Sequence, residues 1–269
     1  MRLHRQASVR ISGMLVLLVV LAGCSGQVRD GTFGSSISTR PAVNHVPSPA
    51  STPTSVNSLG RAPGTTLVAE PSGSTVAIYD SPNGSQPVSV LANPWLLNGV
   101  SDQPIPQVLL VLGTSDHGWV KIQLPSRPNG SIGWLRPGAA RLLVNHYRIE
   151  VTQHLHLIVV LKDGTPIFTG PVAIGAPATP TPVGLFYIRV LLHTTDPGSV
   201  YGPYAYGLSA HSEALTTFDG GDAEIGIHGN DDASVLGQSV SHGCIRMDNQ
   251  EITQLAQILP LGTPVEISA

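Results

Sequence analysis

Apolar residues in this chain recur in short runs and with a period of two, a pattern that predicts strands rather than helices. Residues 75–79 (Thr-Val-Ala-Ile-Tyr) alternate and lead into the turn Ser81-Pro82-Asn83-Gly84. Residues 108–112 are an unbroken apolar run of the length of a buried strand. Residues 118–124 alternate again, Pro128-Asn129-Gly130-Ser131 marks a second turn, and 132–135 resume as a strand. Further strands are predicted at 147–151, 156–161, 166–173 and 185–191, with a turn at Lys162-Asp163-Gly164-Thr165 and a rigid Pro/Thr loop over 175–184. A helical period is clear once. Ile252, Leu255, Ala256 and Leu259 recur behind Asp248, a predicted N-cap with Glu251 three residues on, and Pro260 and Gly262 end the run. Residues 265–267 close the chain as a strand. The fold expected is mainly β: a small β domain over 65–144, then a β-rich domain over 145–269 with one C-terminal helix.

The first 64 residues follow neither period. Arg2, His4, Arg5 and Arg10 precede an apolar stretch at 11–21 that is short for a membrane span and runs into Leu21-Ala22-Gly23-Cys24. Residues 1–23 read as a signal peptide. The segment Leu-Ala-Gly-Cys resembles the lipobox of bacterial lipoproteins, which implies cleavage before Cys24 and lipidation of its thiol. Residues 24–64 combine Ser, Thr, Pro, Gly and Val without apolar period and read as a disordered tether behind the lipidated cysteine.

Composition narrows the function classes. Hydrophobic residues at 41% and charged residues at 12% support a packed core and argue against wholesale disorder. A net charge of −3 offers no phosphate-binding surface, so no nucleic acid partner is expected. Trp95, Trp119 and Trp134 all fall in the first β domain, where packing is favoured over a platform for glycan or peptide. The two cysteines, Cys24 and Cys244, allow a disulfide in an exported protein. If Cys24 is lipidated, Cys244 is instead a free thiol in an oxidising compartment, and that calls for a chemical reason.

The chemistry concentrates in Ile227-His228-Gly229-Asn230 and Ser241-His242-Gly243-Cys244-Ile245-Arg246-Met247. A cysteine among small and polar residues, ahead of a helix N-terminus and close to imidazoles, favours thiolate over thiol. Gly243 leaves nearby backbone N–H groups open for an oxyanion. Arg246, two residues on in an extended stretch, shares a face with Cys244 and could hold a substrate carboxylate. Two other readings compete. One is a zinc site from His228, His242 and Cys244, with Asp222 or Asp231, although no paired-ligand spacing appears. The other is an inert structural cysteine, which leaves the concentration of His, Gly, Cys and Arg unexplained. His154 and His156, expected on one strand face, and His193 and His211 are poor candidates for chemistry.

The run IHGNDDASVLGQSVSHGCIRM resembles the signature of the L,D-transpeptidase catalytic domain, also called the YkuD domain, and ATPTPVGLFYI, YGPYAYGLS and LPLGTPVEI resemble further segments of that family. The resemblance covers about residues 147–268. WVKIQLPSRPNGSIGWL resembles a bacterial SH3-like module that often precedes this domain. The resemblance implies Cys244 as nucleophile, His228 as general base and the Gly229 carbonyl as its orienting group. It implies His242 as a residue shaping the site, the N–H groups of Gly243 and Cys244 as oxyanion donors, Arg246 as a substrate contact and Ser241 in a structural hydrogen bond. The reaction implied is formation of 3–3 cross-links between peptidoglycan stem peptides with release of D-alanine. Hydrolysis on the same thiol, or a non-catalytic peptidoglycan-binding lipoprotein, are the alternatives. The protein expected is a monomer without metal or organic cofactor, held in the cell envelope through its lipidated N-terminus.

Overall fold

The computed structural model describes residues 64–97, 104–194, 196, 199–218 and 221–269. The expected signal peptide, Cys24 and the tether up to residue 63 lie outside the described residues. The described chain is mainly β, with one α-helix.

The first strands are β1 (Thr66–Pro71), β2 (Thr75–Ile78), β3 (Ser89–Ala92), β4 (Leu109–Thr114), β5 (Val120–Gln123), β6 (Ile132–Leu135) and β7 (Ala140–Asn145). Five of them form an antiparallel sheet in the order β6-β5-β4-β1-β7, and β2 and β3 pair as a separate hairpin. Strands were predicted around β2, β4, β5 and β6, each from alternation or an apolar run between turns. β1, β3 and β7 were not: their apolar runs are short and have no turn signal on both sides.

The second group is β8 (Tyr147–Thr152), β9 (Leu157–Lys162), β10 (Thr165–Pro171), β11 (Ile174–Gly175), β12 (Gly184–His193), β13 (Tyr204–His211), β14 (Glu224–His228), β15 (Ser239–Ser241), β16 (Ile245–Arg246) and β17 (Pro264–Ser268), with helix α1 (Asn249–Ala256). They build an eight-stranded sheet in the order β10-β9-β8-β17-β12-β13-β14-β16, while β11 and β15 pair in parallel beside it. Within the large sheet, β8 with β17 and β14 with β16 are parallel. Asp248 caps α1 by accepting from Gln250 N at 2.7 Å and Glu251 N at 3.3 Å. The helix buries Ile252, Leu255 and Ala256, and Tyr206 Oη donates to the Leu255 carbonyl at 2.9 Å.

The two sheets share their interiors. Side chains alternate along a strand. Leu67 and Ala69 of β1 therefore face the core of the first sheet, while Val68 between them belongs to the core that also holds Ile149, Ile188 and Val265 of the second. Leu142 and Leu143 of β7 divide in the same way. In return, Tyr187 of β12 enters the first core while Phe186 and Ile188 stay in the second.

One expected strand is corrected. His154 and His156 do not share a strand face. Residues Gln153–Leu155 form a 3-10 turn and His156 has φ 49°, so the backbone reverses here. His154 Nδ1 then meets the Ala269 carbonyl oxygen at 2.7 Å and His156 Nε2 meets Ser239 Oγ at 3.0 Å. The tryptophans pack: Trp119 is buried edge-on to Tyr79, and Trp95 stacks on Arg189 at 4.0 Å.

Candidate active site

The parallel register Ile227↔Ile245 and His228↔Arg246 organises the site. Ile227 and Ile245 point into the core. Strand alternation turns Gly226, His228, Cys244 and Arg246 to the opposite face. Gly226 lies next to Cys244, and its N–H donates to Cys244 Sγ at 3.4 Å. A side chain at 226 is excluded, because a Cβ there would come within 2.9 Å of the Tyr206 carbonyl oxygen.

His228 is buried, and its Nδ1 lies 2.6 Å from the Gly229 carbonyl oxygen. A carbonyl only accepts, so Nδ1 carries the proton and Nε2 is the basic atom of the neutral ring. Tyr201 meets this ring edge-on, with centroids 5.1 Å apart. Asn249 Oδ1 sits against both Gly202 and Gly229: a Cβ built on either glycine would come within 2.2 Å of it. The close approach of these glycines fixes the Gly229 carbonyl beside His228 and ties down the Tyr201 loop.

Burial pushes the His228 imidazole down to about 4; the bond to Gly229 opposes the shift and the Arg246 charge adds to it. Burial raises the Cys244 thiol above its ordinary range, more than the Gly226 N–H and Arg246 lower it. At neutral pH both groups are therefore uncharged. This corrects the expectation of a resting thiolate. The free N–H groups at the start of α1 are taken by the Asp248 carboxylate rather than aimed at sulfur, and the imidazole is too deeply buried to be a cation.

The Cys244 turn is built by hydroxyls. Ser241 Oγ accepts from Gly243 N at 3.1 Å and donates to the Cys244 carbonyl at 2.5 Å. Thr181 Oγ1 donates to the Gly243 carbonyl at 2.8 Å and accepts from Gly175 N at 2.9 Å. Thr179 Oγ1 donates to the Ser241 carbonyl at 3.1 Å. The Pro/Thr loop seen in the sequence as merely rigid is thus the brace of this turn. Gly243 has φ +119°, and a Cβ there would also press to 2.9 Å on Ile225 Cδ1, so only glycine fits. A second correction follows from Ser241. The Gly243 N–H is committed to its hydroxyl and is not open to a substrate oxygen.

Arg246 is half-buried, with a buried Nε that has no hydrogen-bond partner. No carboxylate pairs with it among the described residues, so its guanidinium is available to an anion. His242 is exposed and lies on the Phe218 ring, centroids 5.4 Å apart. Of the other histidines, His193 stacks on Tyr204 and His211 is buried beside Asp222. Among the described residues no group of three or more His, Cys, Asp or Glu is placed to hold a metal ion. Gly226, Thr179, Thr181, Tyr201, Phe218 and Asn249 were not singled out as site residues in the sequence; only the Pro/Thr loop and the YGPY segment drew notice there. The strand face thus carries a thiol, a neutral imidazole oriented by a carbonyl, and an arginine without a carboxylate partner among the described residues.

Residues 146–267 match the family model of the L,D-transpeptidase catalytic domain, YkuD. Over 122 residues the chain is 34% identical to a putative L,D-transpeptidase YkuD of Bacillus subtilis (strain 168) and, again at 34%, to that of Bacillus licheniformis. The aligned part is 45% of this chain and 66% of each of those relatives, just short of two thirds of their length. A crystal structure of an L,D-transpeptidase from Mycobacterium tuberculosis H37Rv aligns with 54% of this chain and 75% of its own, at 18% identity and a TM-score of 0.38. Residues 146–267 are therefore similar to L,D-transpeptidase catalytic domains.

Proposed function

We propose that this chain is a peptidoglycan L,D-transpeptidase that forms 3–3 cross-links through an acyl-enzyme on Cys244. The observation that carries the reading is the His228 Nδ1 contact with the Gly229 carbonyl at 2.6 Å, on the strand beside a cysteine whose sulfur takes the Gly226 N–H. Cys244 Sγ attacks the carbonyl of the third residue of a donor stem as the thiol proton passes to His228 Nε2. The Cys244 N–H steadies the oxyanion. On collapse the C–N bond to the terminal D-alanine breaks, and the imidazolium protonates the departing amine. A side-chain amine of a second stem then attacks the thioester, loses its proton to His228, and releases the thiol and a new amide. The acyl bond energy is kept in the thioester, so no nucleotide is consumed. Arg246 is the anchor for a stem carboxylate, worth about 1.5–3 kcal/mol as a charge-assisted contact. Water as acceptor gives L,D-carboxypeptidase activity, the second reading.

The lipobox-like Cys24 supports lipid anchoring and a place in the cell envelope. The SH3-like motif supports the first β domain as a wall-facing module, with domain boundaries at 65–144 and 145–269. Purified protein incubated with tetrapeptide muropeptides is expected to give a Cys244 adduct and cross-linked dimers by mass spectrometry, both lost in Cys244→Ala. Absence of adduct and dimer in the unmodified protein rejects the enzyme reading, and cleaved stems without dimers select the carboxypeptidase. The mass of the mature N-terminal peptide tests the anchor, since an unmodified Cys24 excludes it.

A further inference from the structure

The β5–β6 turn singled out in the sequence as an ordinary hairpin signal reaches across to the catalytic sheet. Arg127, at its start, donates to three carbonyls of the segment joining β13 to β14: Ser212 at 2.6 Å, Leu215 at 3.0 Å and Asp222 at 3.0 Å. It also approaches the Asp222 carboxylate at 3.4 Å. Asn129 uses its carboxamide as a strand would use a peptide group. Nδ2 donates to the His211 carbonyl at 2.8 Å and Oδ1 accepts from His211 N at 2.9 Å. Gln123, one strand earlier, donates to the Leu185 carbonyl. A solvent-facing hairpin has no use for five directional bonds to the backbone of a distant segment. The two side chains supplying them make a clamp.

What the clamp holds lies next to the thiol. The clamped segment folds back on itself through reciprocal backbone bonds between Phe218 and Gly221. Its Phe218 ring carries His242, two residues before Cys244. Its far end leads through Ala223, whose carbonyl accepts from Ser212 N, to Ile225, the side chain that fills the space beneath Gly243. Two neighbouring residues of the Cys244 turn, His242 and Gly243, therefore touch Phe218 of the clamped segment and Ile225 of the strand that follows it.

We infer that Arg127 and Asn129 are positioning residues for the site: they fix residues 211–218 and 221–223, and with them the Phe218–His242 pair against which the substrate of Cys244 is held. The inference rests on the proposed reaction at Cys244. It assigns to the first sheet a part in substrate binding that needs no contact between that sheet and the substrate.

The test uses the full chain with Arg127→Ala and Asn129→Ala, and Arg141→Ala as control. Arg141 makes an exposed ion pair with Glu70 on the first sheet. Loss of one charged hydrogen bond at Arg127, or of the two neutral ones at Asn129, corresponds to about a tenfold change. Both variants are expected to raise amide exchange in 211–223 about tenfold while α1 keeps its protection, and to raise KM for tetrapeptide muropeptide about tenfold with kcat nearly unchanged. Alkylation of Cys244 by iodoacetamide, small enough to ignore that pair, should stay within about twofold, and Arg141→Ala should match the unmodified protein. Unchanged exchange in 211–223 overturns the inference, and so does faster exchange with unchanged KM. If the unmodified protein does not turn over muropeptides, the proposed function falls. The inference is then decided by exchange together with the rate of Cys244 labelling by a bulky aromatic maleimide relative to iodoacetamide, which must change in both variants.

Discussion

A His228 imidazole held near 4 stays neutral at neutral pH, and Cys244 stays a thiol. The active form thus exists between the two pKa values. kcat/KM is expected to be flat from about pH 6 through neutral pH and, on the acid side, to fall only as the pH approaches 4. Iodoacetamide, which reacts with the thiolate alone, should label Cys244 ever faster through pH 9. A labelling plateau at neutral pH would reveal a preformed ion pair and reject this picture. The same shift links to stability. The unfolded chain takes up the His228 proton near 6.5 and the folded chain only near 4. Stability is therefore complete above 6.5 and lost as pH falls toward 4, by at most about 1.4 kcal/mol per pH unit. His211, lowered by its own burial, contributes in the same direction. Denaturant unfolding of His228→Gln should lose less stability between pH 7 and pH 5 than the unmodified protein; equal losses would contradict a buried neutral imidazole. Tyr187 presents a simpler case. Its hydroxyl is buried without a hydrogen-bond partner, so Tyr187→Phe is expected to be neutral or to stabilise by up to about 1 kcal/mol. A loss above that on thermal unfolding would show that the hydroxyl is satisfied.

Two elements carry the site, the braced Cys244 turn and helix α1. Thr181 bridges Gly175 N and the Gly243 carbonyl with one hydroxyl in a buried position. Thr181→Val keeps the shape and leaves both backbone groups unpaired, at about 1–3 kcal/mol. The expected result is a lower Tm together with reduced kcat, because the Cys244 N–H is aimed by that turn. Retained kcat would show that the turn holds without its brace. At α1, Asp248→Ala removes two hydrogen bonds to N-terminal N–H groups. It should cost about 1 kcal/mol in urea unfolding and leave the thiol's alkylation rate unchanged, since the cap and not the sulfur uses those groups.

For the whole molecule, the interleaved cores make the two sheets one cooperative unit. Val68 belongs to the first sheet but is buried in the core of the second. Val68→Ala should therefore destabilise both by about 2 kcal/mol. All three tryptophans lie in the first β domain and Cys244 in the second. Fluorescence and thiol exposure should then report one midpoint, shifted together by the substitution. Two separated midpoints would mean that the shared core does not couple them.

The sequence by itself determined the mainly β character and, among the described residues, the one α-helix with its Asp248 cap. These are local properties, a period of two and a helical period behind an N-cap, whereas Cys244, His228 and Arg246 were candidates named from the resemblance of one short run. Only the tertiary structure decided the protonation states, because burial is a sum over many distant side chains. It also decided that Ser241 takes the Gly243 amide and that Thr181 braces the turn from 62 residues away. Strands β13 and β14 were unread because glycines and polar residues break their alternation, and long-range pairing alone makes them strands. The role of Arg127 and Asn129 was beyond reach for the same reason, since their partners lie 82 to 95 residues along the chain, and no local pattern reports a contact at that distance.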